Sequence, residues 1–155
     1  MPASRGVRWA PVVRVAGRSM APTLAPGDLL APWPRAGGAR RGDLVVMARD
    51  GVRYVKRVAG VQGDVIELEA GRLRVNGTAL DGRDPEPGAL VARWTVPAGH
   101  LFVVGDNPQG STDSRTWADP FVPTSDARRA RRLAPAPAGH GRRTPRRVGV
   151  EHSRA

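Results

Sequence analysis

Apolar side chains in this chain recur at every second position, in short runs closed by Gly, Pro, Asn or Asp. The stretch Val52-Arg53-Tyr54-Val55-Lys56-Arg57-Val58 shows the pattern clearly. Val52, Tyr54, Lys56 and Val58 share one face, and Arg53, Val55 and Arg57 share the other. This period predicts strands over residues 12–16, 29–31, 44–48, 52–59, 65–69, 73–75, 93–96 and 100–104. Asp50-Gly51 and Asn76-Gly77 are two-residue hairpin signals between neighbouring runs. No helical period stands out between residues 12 and 123. The pattern therefore specifies an all-β fold, mainly antiparallel, built as a coiled sheet or barrel-like assembly with little helix.

From Ser125 the pattern ends, and Arg, Ala, Pro and Gly take over. A segment so poor in large apolar residues is expected to form a disordered basic tail. The chain then divides into an N-terminal segment 1–11, a folded domain 12–124 and a tail 125–155.

Composition narrows the chemistry. A length of 155 residues suits one domain plus a tail. The chain has no cysteine, which removes disulfides, thiolate metal sites and a cysteine nucleophile. His100, His140 and His152 are scattered, which argues against a zinc site and against a Ser-His triad. Neither metal nor cofactor is expected. No run of about 18 apolar residues occurs, so no transmembrane helix is expected within the chain. Residues 1–10 also lack the apolar core of a signal peptide.

The net charge is +11, and residues 126–155, with nine Arg against Asp126 and Glu151, hold +7 of it. Such a tail suits anionic lipid headgroups, nucleic acid or plain solvation. It lacks interleaved aromatics, so nucleic acid is not the expected partner. Among the 25 Lys and Arg residues only Lys56 is lysine. Arginine keeps its proton in proteins, whereas a buried lysine can lose it. The lone lysine thus stands where a neutral amine is useful, or survives by chance in an arginine-rich chain.

Two stretches carry candidate chemistry. Gly17-Arg18-Ser19-Met20-Ala21-Pro22-Thr23-Leu24 holds a serine at the end of a strand, between Gly and Pro, where its hydroxyl can face outward as a nucleophile. Lys56, on an apolar strand face, is a candidate general base, because desolvation penalises its charged form. Its other reading is an edge residue whose amine reaches water.

The blocks Gly17 to Leu24, Gly42-Asp43-Leu44-Val45-Val46, Tyr54 to Asp64 and Gly105 to Arg115 together, in this order, resemble type I signal peptidase. The resemblance implies that family's catalytic fold and a serine endopeptidase with Ser19 as nucleophile and Lys56 as its base. It implies that Ser111 orients Lys56, although a Gly-Ser-Thr-Asp loop also suits a turn-forming serine. Asp113 and Arg115 would form a supporting salt bridge. The Ser19 backbone N–H would stabilise the oxyanion. Gly17, at the position where some relatives place a second, hydroxyl donor, has no hydroxyl.

The implied substrates are signal peptides of secreted preproteins, cut after Ala-Xaa-Ala and lying as an added strand beside the Ser19 and Lys56 strands. By position, Val13, Val15, Met20, Leu24, Tyr54 and Val55 would wall the small pockets; each also suits ordinary core. The implied location is the cell membrane, with the catalytic domain on the extracytoplasmic face, against an anionic phospholipid surface that Trp9, Met20 and Trp33 could touch.

Three departures accompany the resemblance. Relatives carry an N-terminal transmembrane helix. Relatives follow the arginine and an aromatic with a Gly-Xaa-Val-Pro turn, where this chain has Ala118-Asp119-Pro120-Phe121-Val122-Pro123. Relatives then add an apolar strand, where this chain turns Arg-rich. The alternatives are a maturation protease of the same fold with one or a few substrates, a decayed inactive paralogue, and a protein binding nucleic acid or anionic surfaces through its tail.

Overall fold

The computed structural model describes residues 8–33, 38–82 and 90–133. The N-terminal run forms β1 (Val13–Arg14) and β2 (Leu29–Pro32), which flank the Ser19 loop. The long central hairpin is β3 (Leu44–Arg49) and β4 (Val52–Val61). A smaller unit follows, made of β5 (Val65–Glu69), β6 (Arg72–Val75), β7 (Thr78–Ala79) and β8 (Leu90–Thr95). The chain then returns through β9 (His100–Val104), β10 (Phe121–Pro123) and β11 (Ala127–Arg132).

A seven-stranded sheet runs in the order β1-β2-β11-β3-β4-β9-β10, and a four-stranded sheet in the order β7-β6-β5-β8. The strand pairs are antiparallel. Among the described residues the only helical pieces are two single 3-10 turns, Pro108–Gly110 and Thr124–Asp126. The all-β reading from period-two patterning stands. The hairpin signals stand as well: Asp50 and Gly51 have φ of 50° and 77°, and Asn76 and Gly77 have 50° and 82°. Positive φ at both central residues is what a two-residue type I′ turn requires.

Alternation on β4 decides which core each residue enters. Val55 packs with Val13, Val15, Met20, Leu24 and Val46, while Tyr54 and Val58 pack with Val45, Met47, Leu101 and Val103. A bulge between Val58 and Gly60 shifts the register against β9 and turns Ala59 into a third cluster with Ile66, Val96 and Phe102. That third cluster joins the two sheets.

The tail expectation needs correction at its near end. Residues 127–132 are not disordered; they form β11, inserted between β2 and β3. Ala127 is buried in the second cluster, and Ala130 packs against the first. Three of the strand's arginines find partners at the margins. Arg129 Nε lies 2.9 Å from Asp43, Arg132 Nη2 lies 3.0 Å from Asp28, and the Arg128 guanidinium stacks over Trp9 at 4.8 Å. Arginine stems can cover apolar surface while their heads stay paired or wet, so an Arg-rich strand need not be apolar to sit inside a sheet. Residues 134–155 of the expected tail lie outside the described residues, as do residues 1–7 of the N-terminal segment. Among the described residues no helix is long and apolar enough to cross a membrane.

Candidate active site

The Ser19 loop is anchored from both ends. Val15 exchanges backbone hydrogen bonds with Asp28 and Gly27 (both 2.8 Å), closing the β1–β2 connection. Met20 and Leu24, each 1% exposed, plug the first core cluster, and the Leu24 N–H donates to the Met20 carbonyl at 2.9 Å. Gly17 has φ of 107°, a left-handed backbone that a side chain would strain. Ser19, between these anchors, is partly exposed.

A second loop clamps the first. The Asn107 N–H donates to the Ser19 carbonyl at 2.9 Å, and Asn107 Nδ2 donates to the Arg18 carbonyl at 3.1 Å. The Thr23 hydroxyl donates to Asp106 Oδ2 at 2.6 Å. Asp106 in turn takes a two-pronged contact from Arg57, with Nε at 2.8 Å and Nη2 at 2.7 Å. Arg57 is the residue after Lys56, so Asp106 ties the serine loop to the lysine strand. Burial disfavours the Asp106 charge, but hydrogen bonds from Arg57 and Thr23 and the Arg57 charge outweigh it and hold the carboxyl below its ordinary range. At Gly105 a Cβ would sit 2.5 Å from the Ser19 carbonyl oxygen and would also strike Ser111 Oγ. Only glycine fits between these two groups.

Lys56 is 1% exposed and heads the largest fully buried side chains. It is not an edge residue reaching water: β4 lies inside the sheet, and the Lys56 amine donates to Ser111 Oγ at 2.9 Å. The amine also stands 5.7 Å from the centre of the Tyr54 ring. Ser111 is more than a turn former, because its hydroxyl donates to Asp113 Oδ2 at 2.6 Å. With its proton directed to Asp113, Ser111 Oγ meets the amine as an acceptor.

Asp113 is the hub beneath this pair and is fully buried. It accepts from the Gly105 N–H at 2.8 Å, and from Arg115 through Nε at 2.8 Å and Nη2 at 2.6 Å. Burial alone would raise its pKa. The hydrogen bonds from Arg115, Gly105 and Ser111, with the Arg115 charge, reverse that and keep the carboxyl below the usual range. The expected Asp113–Arg115 salt bridge is present. Among the described residues no cluster of His, Asp and Glu could hold a metal ion.

The residues named as pocket walls take two positions. Val13, Val15, Met20, Leu24 and Val55 are at most 6% exposed and belong to one core cluster. Tyr54 lies in the second cluster, edge-on to Trp117 at 5.7 Å. Burial corrects one expectation: Met20 is too deep to touch a membrane, whereas Trp33 is 51% exposed. Sequence reasoning gave no role to Arg57, Asp106, Asn107 and Thr23. The Gly105-Asp106-Asn107 run was visible as a strand end, but nothing along the chain pairs it with residues 18–23.

Fold and site together define a class: an all-β protein in which a clamped serine loop and a buried, serine-bound lysine lie on neighbouring segments. Comparison with known proteins gives the class its family. Residues 3–128 match the model of the family described as signal peptidase, peptidase S26. Signal peptidase I of Pseudomonas aeruginosa is 31% identical over 154 residues, covering 68% of this chain and 54% of that protein. Signal peptidase I S of Bacillus subtilis is 35% identical over 136 residues, covering 76% of this chain and 72% of that protein. Signal peptidase I of Bacillus licheniformis is 36% identical over 118 residues, with 65% and 63% covered. The chain belongs to the signal peptidase S26 family, and it spans about half the length of the Pseudomonas relative.

Proposed function

We propose that this chain is a serine endopeptidase that removes signal peptides from secreted preproteins after Ala-Xaa-Ala, with Ser19 as nucleophile and Lys56 as general base. The observation that carries the reading is the chain Lys56–Ser111–Asp113 inside the protein. Ser111 occupies one N–H of the amine. In the neutral amine the lone pair is then left for another proton, that of the Ser19 hydroxyl. Burial disfavours an ammonium, and a neutral amine is the form that can act as base.

In the proposed reaction the Ser19 hydroxyl gives its proton to Lys56 Nζ while Oγ bonds to the scissile carbonyl carbon. The carbonyl π electrons move to oxygen, and the Ser19 backbone N–H donates to that oxyanion. Collapse breaks the C–N bond, and the proton on Lys56 passes to the leaving amine. Water then repeats the cycle on the acyl-serine, with Lys56 taking its proton, and releases the signal peptide and Ser19. Gly17 contributes backbone shape and no hydroxyl to this step.

The signal peptide would lie extended beside β4 and the segment entering the Ser19 loop. Val13, Val15, Met20, Leu24, Tyr54 and Val55 would back its small-residue pockets. The burial of Val13, Val15, Met20, Leu24 and Val55 in one cluster with the loop supports a rigid wall that rejects large side chains. The proposed location is the extracytoplasmic face of the membrane, with anionic phospholipid as a second partner. For nucleic acid the support is poorer, since three of the four β11 arginines already have partners within the fold.

The test is a purified preprotein with an Ala-Xaa-Ala site, incubated with the protein in detergent or phospholipid. Mass spectrometry should find a single cut after the second Ala, lost in Ser19→Ala. No cut, or a cut that survives Ser19→Ala, contradicts the reading.

A further inference from the structure

Three contacts in series lead from Lys56 toward the turn of the β3–β4 hairpin. The Lys56 amine stands 5.7 Å from the centre of the Tyr54 ring. Tyr54 meets Trp117 with ring centres 5.7 Å apart and planes at 63°. The Arg49 guanidinium lies over the Trp117 ring at 4.5 Å. Arg49 in turn lines a cavity of about 510 Å³ at the hairpin turn, rimmed by the exposed Asp50, Gly51 and Asp119.

Trp117 is tied to the lysine by a second route. Its backbone N–H donates to the Asp113 carbonyl at 3.0 Å, and the Asp113 carboxylate accepts from the Ser111 hydroxyl that holds the amine. The short segment 111–117 therefore reaches Lys56 twice, through Ser111 on the amine and through Trp117 behind Tyr54. A buried lysine stays neutral only while water is kept from its amine. On the Ser111 side the charged groups are Asp113 and Arg115, which are paired with each other. Next along β4, Arg57 is paired with Asp106. The residue opposite Lys56 on β3 is Val45, which carries no charge. On the remaining side stand Tyr54 and Arg49, with Trp117 between them.

We propose that Trp117 is a positioning residue for Lys56: held by Asp113 and Arg49, it fixes the Tyr54 ring beside the amine and closes the path from the hairpin cavity to it. The inference rests on the peptidase reading above, in which the neutral amine is the base. Trp117 acts through Tyr54 and takes no part in bond making. The Tyr54 ring also attracts an ammonium, but an amine on a side chain 1% exposed loses more by desolvation than a ring 5.7 Å away restores. The stretch in which this chain departs from its relatives, Ala118-Asp119-Pro120, follows Trp117 directly and gives the cavity Asp119.

Lys56 is the single lysine of the chain, so lysine isotope-labelled at Cε gives one side-chain resonance that reports this amine alone. Its titration is followed by NMR in the unsubstituted protein, in Trp117→Leu and in Trp117→Phe, beside kcat/KM against pH on an Ala-Xaa-Ala preprotein. In Trp117→Leu the titration midpoint should rise. There kcat/KM should fall about tenfold or more on the acidic limb, while the high-pH plateau changes less than about threefold. Trp117→Phe should recover most of the loss. If Trp117→Leu does not fold, Arg49→Gln carries the test, with a midpoint shift of the same sign. An unmoved midpoint in folded Trp117→Leu, or failing that in Arg49→Gln, overturns the proposal. So does a plateau that falls as far as the limb, the mark of a merely structural tryptophan. If the unsubstituted protein cuts nothing, the peptidase reading fails, and the NMR titration still decides whether Trp117 shields the amine.

Discussion

The Lys56 amine and the Ser111 hydroxyl meet at 2.9 Å within the protein, and the Ser111 proton is committed to Asp113 at 2.6 Å. This geometry suits Ser111 to the proposed role of orienting the amine without supplying a proton to it. Removing this hydroxyl should leave substrate binding intact and misplace the base. Ser111→Ala is expected to lower kcat by about 2- to 12-fold, the equivalent of about 0.5–1.5 kcal/mol for a hydrogen bond between neutral groups. KM should change little, and Ser111→Thr should recover part of the loss. Steady-state kinetics on a peptide substrate checks both.

Asp106 joins the serine loop to the lysine strand through Thr23 and Arg57. The pair is half-buried, so solvent screening limits its contribution to stability to about 1 kcal/mol. Its effect on geometry is larger, since a displacement of about 1 Å at the reacting groups can cost on the order of a hundredfold in rate. Asp106→Asn and Thr23→Val should lower kcat far more than they lower the melting temperature. Parallel kinetic and thermal measurements separate the two effects.

Asp113 gives the pH dependence. Its folded pKa lies below the ordinary value of 3.8, so it stabilises the fold above that value and loses the contribution as pH falls through the folded pKa. Asp113→Asn removes one partner of a buried pair, a change that costs about 3–5 kcal/mol. The stability gap between the protein and this variant should be full at pH 7 and should narrow steadily below about pH 4. Denaturant titrations at pH 7 and pH 3 measure it.

β11 is a structural strand, and its small inward residues are what allow it to insert. Ala127→Glu places an unpaired carboxylate in the second core cluster, where Ala127 is 4% exposed. The expected loss is several kcal/mol, on the order of the 3–5 kcal/mol for an uncompensated buried charge. An outward change, Arg131→Gln, should be nearly neutral. Thermal denaturation of the two variants distinguishes a central strand from a tail.

How much of this was legible in the sequence depends on the range of the signal. Alternation and turn chemistry are local, and they located β4, β5 and β9 to within a few residues and the Asn76-Gly77 turn directly. β11 was missed because Arg128, Arg129, Arg131 and Arg132 resemble a solvated charge run; their partners Trp9, Asp28 and Asp43 are about a hundred residues away in the chain. Ser19, Lys56, Ser111, Asp113 and Arg115 were visible through their motifs. The Asp106 clamp was not, because Thr23, Arg57 and Asp106 meet only once the chain has folded. Pocket walls and core give the same apolar signature in a sequence, and Val13, Met20 and Leu24 remain core residues in the structure.

The central claim is that Lys56 acts as a base. Lys56→Arg keeps the positive charge and much of the side-chain length and removes the group that can exist as a neutral amine near pH 7. Single-turnover cleavage of an Ala-Xaa-Ala preprotein by this variant, with its fold verified by circular dichroism, is the most direct measurement. The account predicts a rate lower by at least about 10²–10⁴-fold, the usual contribution of general base catalysis. A folded Lys56→Arg protein that cuts at the unsubstituted rate would contradict it.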